Sequence, residues 1–104
     1  MTLSHKSTIR RELADERGEF CEYCGVPGSD LHHAIVPDKK SHKRLLFCKE
    51  NLIILCGKCN VSKRFDNKAG RVYWWGVQCV RYGVDYMLEW RAMIRGHFVI
   101  DPFL

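Results

Sequence analysis

The apolar and polar positions near the N-terminus predict one amphipathic helix. Ile9 and Leu13 lie four residues apart, which places them on one face of a helix. Ser7 is a suitable N-cap, and Gly18 can adopt the left-handed conformation that ends a helix. We therefore predict a helix between Ser7 and Gly18 that lies on the outside of a small core.

In the middle of the chain, two apolar runs predict two strands. The run at residues 31–36 also contains two histidines, and Pro37 limits its continuation. The second run, at residues 50–56, is rich in residue types that favour strands. The basic stretch between them, residues 38–49, is predicted to be a loop or partly helical. The pattern therefore indicates a strand, a loop and a second strand.

The rest of the chain is predicted to be helical. A polar run at residues 60–68 lacks strand alternation and predicts a short helix. Gly83 divides residues 71–95 into two further helical segments. The second segment has an apolar stripe that should face the core, formed by Met87, Leu88, Trp90 and Ile94.

Aromatic residues are concentrated in this C-terminal part: Tyr73, Trp74, Trp75, Tyr82, Tyr86 and Trp90. Large aromatic side chains are highly buried on average, so we interpret these residues mainly as packing residues. The alternative is that an exposed Trp74 or Trp75 stacks on nucleic-acid bases.

The chain is small, which limits the apolar surface that its core can bury. With 104 residues, a disulfide or metal staple is expected. The chain has six cysteines, and residues 1–20 contain no apolar run like that of a signal peptide. This favours a reducing cytoplasm and thiolate-bound zinc over disulfides. No apolar stretch approaches the about 20 residues of a membrane span, so we expect a soluble protein without membrane contact.

Four of the cysteines form two C-x2-C pairs. Cys21 and Cys24 make the first pair, Cys56 and Cys59 make the second, and 31 residues separate the pairs. Four thiolates around one tetrahedral ion are typical of a structural zinc site, which has no open position for a substrate. The alternative is a redox dithiol, which the second pair disfavours. Two further cysteines are predicted to be small buried hydrophobic residues: Cys48 and Cys79.

Positive charge is concentrated around the second cysteine pair. The net charge is +5, but residues 39–71 alone hold ten Lys or Arg against two acidic residues. This segment therefore carries +8, and the rest of the chain carries −3. Such asymmetry indicates a polyanionic partner, most simply nucleic acid. The alternative is an ordinary basic surface.

Two adjacent histidines precede the basic segment. A zinc ion shared by the two cysteine pairs would bring His32 and His33 close to residues 51–60. Neighbouring residues of a regular strand point to opposite sides, so one site would receive only one of the histidines unless the strand is distorted near Pro37. The pair therefore suits either a catalytic site or a structural role.

The stretches CEYCG, LHHAIVP and ENLIILCGKCN, followed by SKR, resemble the HNH endonuclease family in its zinc-stapled form. The resemblance extends from about residue 10 to residue 64. It implies an α+β fold: a small zinc-stapled ββα-metal core with a flanking N-terminal helix and an aromatic-rich, helical C-terminal extension. A single HNH nuclease domain would span residues 1–104, with the core at 10–68 and the extension at 71–104.

The resemblance also implies roles for four residues. His32 would bind a catalytic metal ion, and His33 would be the general base. Asn51, the middle residue of the motif, would tie the loop in place and help to orient the base. The last position, most often histidine, is Asn60 here, which resembles the HNN variants in which an amide oxygen binds the metal ion. The alternative for Asn60 is the N-cap of the following helix.

These roles imply a metal-dependent endonuclease that hydrolyses DNA phosphodiester bonds. A histidine with a pKa of about 6.5 is substantially neutral at physiological pH and can accept a proton from an attacking water. An amide oxygen is a hard ligand suited to Mg²⁺ or Mn²⁺. The alternative function is a non-catalytic zinc-ribbon module that binds nucleic acid or protein, in which the histidines are structural.

Basic residues on both sides of the motif are candidate contacts to DNA phosphates: Lys39, Lys40, Lys43, Arg44, Lys58, Lys63, Arg64 and Arg71. Phosphate contacts position a substrate without reading its sequence, so they predict no base preference. The sequence predicts no particular protein partner and does not distinguish nicking from double-strand cleavage. The resemblance implies the cytoplasm of a bacterial or bacteriophage-infected cell.

Overall fold

The computed structural model describes residues 2–36 and 48–98, with side chains at 8–36 and 48–94. Its elements are α1 (Thr2–Arg17), β1 (Asp30–His33), β2 (Leu52–Leu55), α2 (Gly57–Val61), α3 (Lys68–Tyr82) and α4 (Val84–Phe98). Helices around a two-stranded sheet confirm the predicted α+β class. Five residues singled out by the sequence lie outside the described ranges: Pro37, Lys39, Lys40, Lys43 and Arg44.

Helix α1 is longer than predicted. It begins at Thr2 rather than after Ser7, so the predicted N-cap is wrong. Residues 2–6 contain no Gly or Pro that would end the helix early. The predicted inward face is confirmed, because Leu13 is buried in a small apolar cluster. Gly18 ends the helix with φ of +84°, the left-handed conformation expected of it.

The two strands pair in antiparallel register, with His32 opposite Ile53. β1 ends at His33, three residues before the predicted end of the first strand. β1 ends there because the hydrogen bonds after His33 change partner. The Ala34 N–H donates to the backbone carbonyl of Asn51 at 2.8 Å. The next two N–H groups then bind the Asn51 side chain instead of continuing the ladder.

Strand β2 is buried on both faces. Leu52 and Ile54 pack with Leu13 of α1, while Ile53 and Leu55 belong to the main core beneath α3 and α4. A strand covered on both sides has apolar residues at consecutive positions rather than at alternate ones. This explains why β2 lies in a continuous apolar run.

The predicted helix at residues 60–68 is wrong. Helix α2 begins earlier, at Gly57, because Cys56 acts as its N-cap: the Cys56 Sγ accepts a hydrogen bond from the Cys59 N–H at 3.4 Å. Asn60 therefore lies inside α2, and its alternative interpretation as an N-cap is also wrong.

A tight turn, and not a helix, connects α2 to α3. Lys63 has a left-handed backbone with φ of +57°, which interrupts helical geometry, and its carbonyl accepts the Asp66 N–H at 3.1 Å. Asn67 is the N-cap of α3, where its Oδ1 accepts the Gly70 N–H at 2.7 Å. Between these points the chain inserts Phe65 into the core.

The two C-terminal helices are divided at Gly83, as predicted, and this residue has φ of +100°. Met87, Trp90 and Ile94 of α4 are buried, which confirms three positions of the apolar stripe. Leu88 is 46% exposed, so its place in the stripe is wrong. It lies next to Met87 and therefore points about 100° away from it around the helix.

Among the described residues, no helix is long and apolar enough to pass through a membrane.

The interpretation of the tryptophans as packing residues is confirmed for Trp74, which is fully buried. Trp75 is half-buried and packs against the main core. Cys48 and Cys79 pack against the same core but are only half-buried, so the prediction of burial holds in part. Burial is also the main cause that raises the pKa of the Cys48 thiol to about 12.

Glu22 links three elements of the fold. Its nearly buried carboxylate accepts hydrogen bonds from the Ile54 N–H at 2.7 Å and from Arg17 at 3.1 Å, and it also pairs with Arg81 of α3. In return, the Glu22 N–H donates to the Ile54 carbonyl at 2.8 Å. Two guanidinium groups compensate the buried negative charge of Glu22. The loop that holds Cys21 and Cys24, called the first cysteine loop, is therefore fixed against β2 and α3.

Candidate metal centre and active site

Four cysteine side chains converge beside the start of α2. The Sγ atoms of Cys21, Cys24, Cys56 and Cys59 all lie within 4.8 Å of one another. The Cys24 Sγ lies 3.7 Å from that of Cys56 and 3.8 Å from that of Cys59. These separations exceed the about 2 Å of a disulfide bond, and all four cysteines are free. The clustering expected from the two C-x2-C pairs is therefore confirmed.

Two glycines allow the cysteine loops to approach each other. Gly25 follows the first pair with φ of +83°, a conformation that other residues rarely adopt. Gly28 lies so close to the second pair that a Cβ atom there would be 2.7 Å from the Cys56 Cα atom. The first cysteine loop is thus in direct contact with the junction of β2 and α2.

The sulfur cluster has the chemistry of a zinc site. Burial opposes ionisation of Cys21, but backbone N–H groups that donate to its Sγ lower the pKa of this thiol to about 6. Burial and the neighbouring thiols raise the pKa of Cys59 to about 12. Four thiolates so close together repel one another unless a cation offsets their charge. Four sulfur donors match the closed tetrahedral coordination that Zn²⁺ adopts in structural sites.

A separate cavity of about 460 Å³ opens between β1, α2 and the turn before α3. Its polar lining consists of His32, His33, Asn60, Asp66 and Arg71. The cavity therefore brings together three residues that the sequence assigned to a catalytic centre and one of the predicted phosphate contacts. Asp66 is an addition that the sequence did not suggest.

His32 presents an unsatisfied nitrogen at this cavity. Its Nε2 atom is buried and has no hydrogen-bond partner among the described residues. Burial lowers the pKa of the imidazole; the nearby carboxylate of Asp66 acts in the opposite direction, and His33 lowers the pKa further. A neutral imidazole with a free lone pair is the form that binds metal ions. The orphaned nitrogen fits a cation site.

Both histidines line the same cavity, although neighbouring residues of a regular strand point to opposite sides. His33 is the last residue of β1, and the chain leaves the ladder immediately after it. The distortion expected near Pro37 therefore begins earlier, at the end of β1, where the described backbone turns towards Asn51.

Asn51 determines the path of the chain after the histidines. Its side chain is fully buried, and its Oδ1 accepts hydrogen bonds from the Ile35 N–H at 3.1 Å and the Val36 N–H at 2.7 Å. Its Nδ2 donates to the Val36 carbonyl at 2.9 Å. The loop-tying contact expected of Asn51 is thus present, and it fixes residues 34–36 just beyond His33.

Asn60 lies on α2 and lines the same cavity as the β1 histidines. Its Nδ2 donates to the Asp30 carboxylate at 3.3 Å, so the amide is oriented by a residue two positions before His32. With Nδ2 engaged as a donor, Oδ1 is the acceptor atom of this side chain that suits a hard cation.

Sequence reasoning missed Asp30, Phe65 and Asp66. Phe65 and Asp66 were assigned to a helix at residues 60–68, whereas they belong to the turn before α3, which places both on the cavity wall. The two aspartates could have been found from their chemistry, because a carboxylate close in sequence to a metal-binding motif is a candidate oxygen ligand.

Four of the predicted phosphate contacts lie in the described part of the chain. Lys58 and Lys63 are exposed, and the guanidinium of Arg64 lies 5.2 Å from the ring centroid of Tyr23. Arg71 is half-buried and lines the cavity. Arg71 thus places positive charge in the cavity that the histidines line, which favours a polyanion there.

One of three comparisons with known proteins finds a related family. Residues 21–66 match the family described as HNH endonuclease. The matched segment contains both cysteine pairs, the two histidines and most of the cavity lining. Comparison with curated proteins and with solved structures yields no significant match.

Proposed function

We propose that the protein, whose residues 21–66 match the family described as HNH endonuclease, is a metal-dependent endonuclease that hydrolyses phosphodiester bonds of DNA. The observation that carries the proposal is the shared cavity, in which His32, His33 and Asn60 meet. The match to the HNH family indicates nuclease-type chemistry on nucleic acid.

The residues proposed to hold the catalytic cation are His32 and Asn60. The His32 Nε2 is buried and has no hydrogen-bond partner within residues 8–36 and 48–94; with the Oδ1 of Asn60 it supplies one nitrogen and one oxygen donor, which suits Mg²⁺ or Mn²⁺ with water and phosphate as further ligands. Asp66 adds a carboxylate to the same cavity. When bound there, the cation stabilises negative charge on the phosphate and on the departing 3′ oxygen.

His33 is the proposed general base. It accepts one proton from a water molecule while the water oxygen forms a bond to phosphorus, and the bond from phosphorus to the 3′ oxygen breaks. The products are a 5′-phosphate and, after protonation of the leaving oxygen, a 3′-hydroxyl. The hydrogen bonds from Asn51 to residues 35 and 36 limit the movement of the chain beside His33, which supports a fixed orientation of the base.

The four cysteines are proposed to bind a structural zinc ion. Their sulfur cluster joins the loop before β1 to the start of α2; β1 carries the two histidines, and α2 carries Asn60. Helices α3 and α4 share a core with β2 through Trp74, Met87 and Ile94, which supports a single domain that includes the C-terminal extension.

The decisive test is incubation of supercoiled plasmid with the zinc-loaded protein in a series of Mg²⁺ and Mn²⁺ concentrations. We expect nicked or linear DNA. His33→Ala should abolish cleavage while zinc content and the circular-dichroism spectrum stay unchanged. Free imidazole added to this variant should restore part of the activity, because it can replace the missing base. A purely structural histidine would show no such rescue.

Two results would contradict the proposal. Retained cleavage by His33→Ala would exclude His33 as the base. Retarded migration of uncut plasmid at every metal concentration would instead identify a zinc-ribbon binding module without catalysis.

A further inference from the structure

An aromatic surface lies beside the catalytic cavity. Tyr23 of the first cysteine loop and Tyr73 of α3 are 46% and 47% exposed, and the buried ring of Phe65 lines the cavity and contacts both tyrosines. The Phe65 centroid is 5.0 Å from that of Tyr23 and 6.3 Å from that of Tyr73. We call these three residues the aromatic platform.

The platform is held in place from below. Phe65 and Tyr73 both contact the buried Trp74, with centroid distances of 5.1 and 4.7 Å. The planes of Phe65 and Tyr73 differ by only 11°, so their faces have nearly the same direction, whereas the Tyr23 ring is tilted by 69° and 74° to them and forms a side wall. Rigid aromatic rings bind a flat ligand at little cost in side-chain entropy.

The charge around the platform identifies the kind of ligand. The guanidinium of Arg64 lies over the Tyr23 ring at 5.2 Å, and Arg71 shares the cavity wall with Phe65. The exposed side chain of Lys63 precedes Arg64 in the same turn. Aromatic faces combined with guanidinium and ammonium groups form the usual binding surface for single-stranded nucleic acid, where bases stack and phosphates pair with the cations.

We propose that the aromatic platform stacks an unpaired nucleobase next to the phosphate that is cleaved, so that the substrate is DNA with unpaired nucleotides, such as a gap or a flap. This inference deepens the proposed endonuclease function and rests on it. In a continuous duplex both faces of a base are covered by its neighbours, so only an unstacked base can place its face on Tyr23 or Tyr73.

The binding test separates the platform from catalysis. It uses the full zinc-loaded chain with His33→Ala and DNA that contains one 2-aminopurine, placed either in a single-stranded gap or within a continuous duplex. Stacking on an aromatic ring quenches 2-aminopurine fluorescence. We expect strong quenching on binding of the gapped probe and little change with the duplex probe. Equal quenching of both probes would overturn the preference for unpaired bases.

Variants of Tyr73 test the ring itself. Tyr73→Leu removes the aromatic face and should weaken binding of the gapped probe by roughly 5- to 150-fold, the range expected for one base stacked on an aromatic ring. Tyr73→Phe keeps the ring and should bind like the parent. Tyr86→Leu is the matched control, because Tyr86 is also exposed, at 41%, but contacts Glu50 and Tyr82 instead.

Tyr23→Leu provides a second variant if Tyr73→Leu fails to retain zinc or to unfold cooperatively. Unchanged affinity and quenching in the folded Tyr23→Leu protein, or in the double variant, would overturn the platform. A second result would also overturn the platform: the parent protein is a dimer that the tyrosine substitutions dissociate, while quenching stays unchanged. The aromatic surface would then bind a second copy of the chain and not DNA.

Cleavage assays distinguish failure of the platform from failure of the nuclease proposal. If the parent quenches the gapped probe through Tyr73 but cuts no DNA with any metal, the nuclease proposal fails and the platform stands. If the parent cuts gapped and continuous DNA equally and Tyr73→Leu does not alter this ratio, the nuclease proposal stands and the platform fails.

Discussion

The side chain of Asn51 binds Val36 through both of its amide atoms. Its Oδ1 accepts the Val36 N–H at 2.7 Å, and its Nδ2 donates to the Val36 carbonyl at 2.9 Å. This pair replaces the backbone ladder at the point where β1 ends. Because His33 is separated from Val36 by only two residues, the contact also limits the positions available to the proposed general base.

Asn51→Ala should therefore reduce both stability and activity. The substitution leaves buried backbone groups of Val36 without partners, which should lower the free energy of unfolding by about 2–3 kcal/mol. Cleavage per folded molecule should fall as well, because the chain around His33 loses its anchor. Urea denaturation and a plasmid-cleavage time course measure the two effects.

Gln78→Ala is the matched control for Asn51. Gln78 is also a fully buried amide, and its Nε2 donates to the carbonyls of Lys49 and Glu50 at 2.9 and 3.0 Å. We expect it to reduce stability while leaving cleavage per folded molecule close to the parent. Equal losses of cleavage in both variants would show that Asn51 acts only through global stability.

Cys56→Ser should abolish the fold rather than the chemistry alone. Cys56 contributes one of four clustered sulfurs and also caps α2 through its Sγ. Loss of one thiolate weakens zinc binding, and in small zinc domains the free energy of metal binding is largely the free energy of folding. We expect a zinc-poor, largely unfolded protein by metal analysis and circular dichroism.

Cys79→Ser tests whether this effect is specific to the cluster. Cys79 is also a free cysteine, half-buried against the core but outside the sulfur cluster. This variant should retain its zinc and lose only a small part of its stability. A folded, zinc-loaded Cys56→Ser protein would contradict the assignment of the cluster as the structural centre.

Two glycines of α3 should respond in opposite directions to alanine. A Cβ atom at Gly70 would lie 2.3 Å from the Phe65 carbonyl oxygen, so Gly70→Ala must displace the turn that carries Phe65 and Asp66. We expect a loss of about 1–3 kcal/mol in the free energy of unfolding. Activity should fall too, since this turn forms part of the cavity wall.

Gly76→Ala should instead stabilise the protein. In the described part of the chain, no atom other than the neighbouring backbone of α3 lies within 4 Å of a Cβ built at Gly76, which is an exposed position inside this helix. Replacing glycine by alanine within a helix typically adds about 0.5–1 kcal/mol. Thermal unfolding of both variants measures the contrast, and a Gly70→Ala protein as stable as the parent would refute the close contact.

Lys58→Gln should reduce the salt dependence of DNA binding. Lys58 is exposed on α2 beside the proposed site. If it neutralises one phosphate of duplex DNA, the slope of log K against log salt should become shallower by about 0.9. Fluorescence anisotropy over a salt series gives this slope.

Lys49→Gln serves as the control, because the Lys49 ammonium lies 5.0 Å from the centroid of the Tyr82 ring. Its slope should match that of the parent protein. Identical slopes for Lys58→Gln and the parent would remove Lys58 from the set of phosphate contacts.

Local patterns in the sequence predicted several parts of the fold correctly. The left-handed stop at Gly18 and the division at Gly83 follow from a property of one residue type, the absence of a Cβ atom. The apolar run around β2 and most of the α4 stripe follow from periodicity. The helix at residues 60–68 was wrong because nothing in its composition reveals the left-handed Lys63 or the sulfur cap at Cys56.

The cavity, too, was predicted only in part from local sequence. The motif nominated His32, His33 and Asn60, but Asp66 and Phe65 reach the cavity only because Gly70 allows α3 to pack against the preceding turn. Asp30 reaches Asn60 because antiparallel pairing with β2 brings β1 close to α2. The aromatic platform depends in the same way on contacts between separate segments, the first cysteine loop and α3.

By itself, the sequence predicted the cluster of four cysteines, the α+β class and the resemblance to HNH endonucleases, a family that residues 21–66 match, because ligand spacing and apolar periodicity are local properties that the chain carries before it folds. Only the tertiary structure decided where β1 ends, which carboxylates join the histidines and which tyrosines stay exposed. These features depend on buried hydrogen bonds and close packing between residues distant in sequence, and their energies exist only once those residues are in contact.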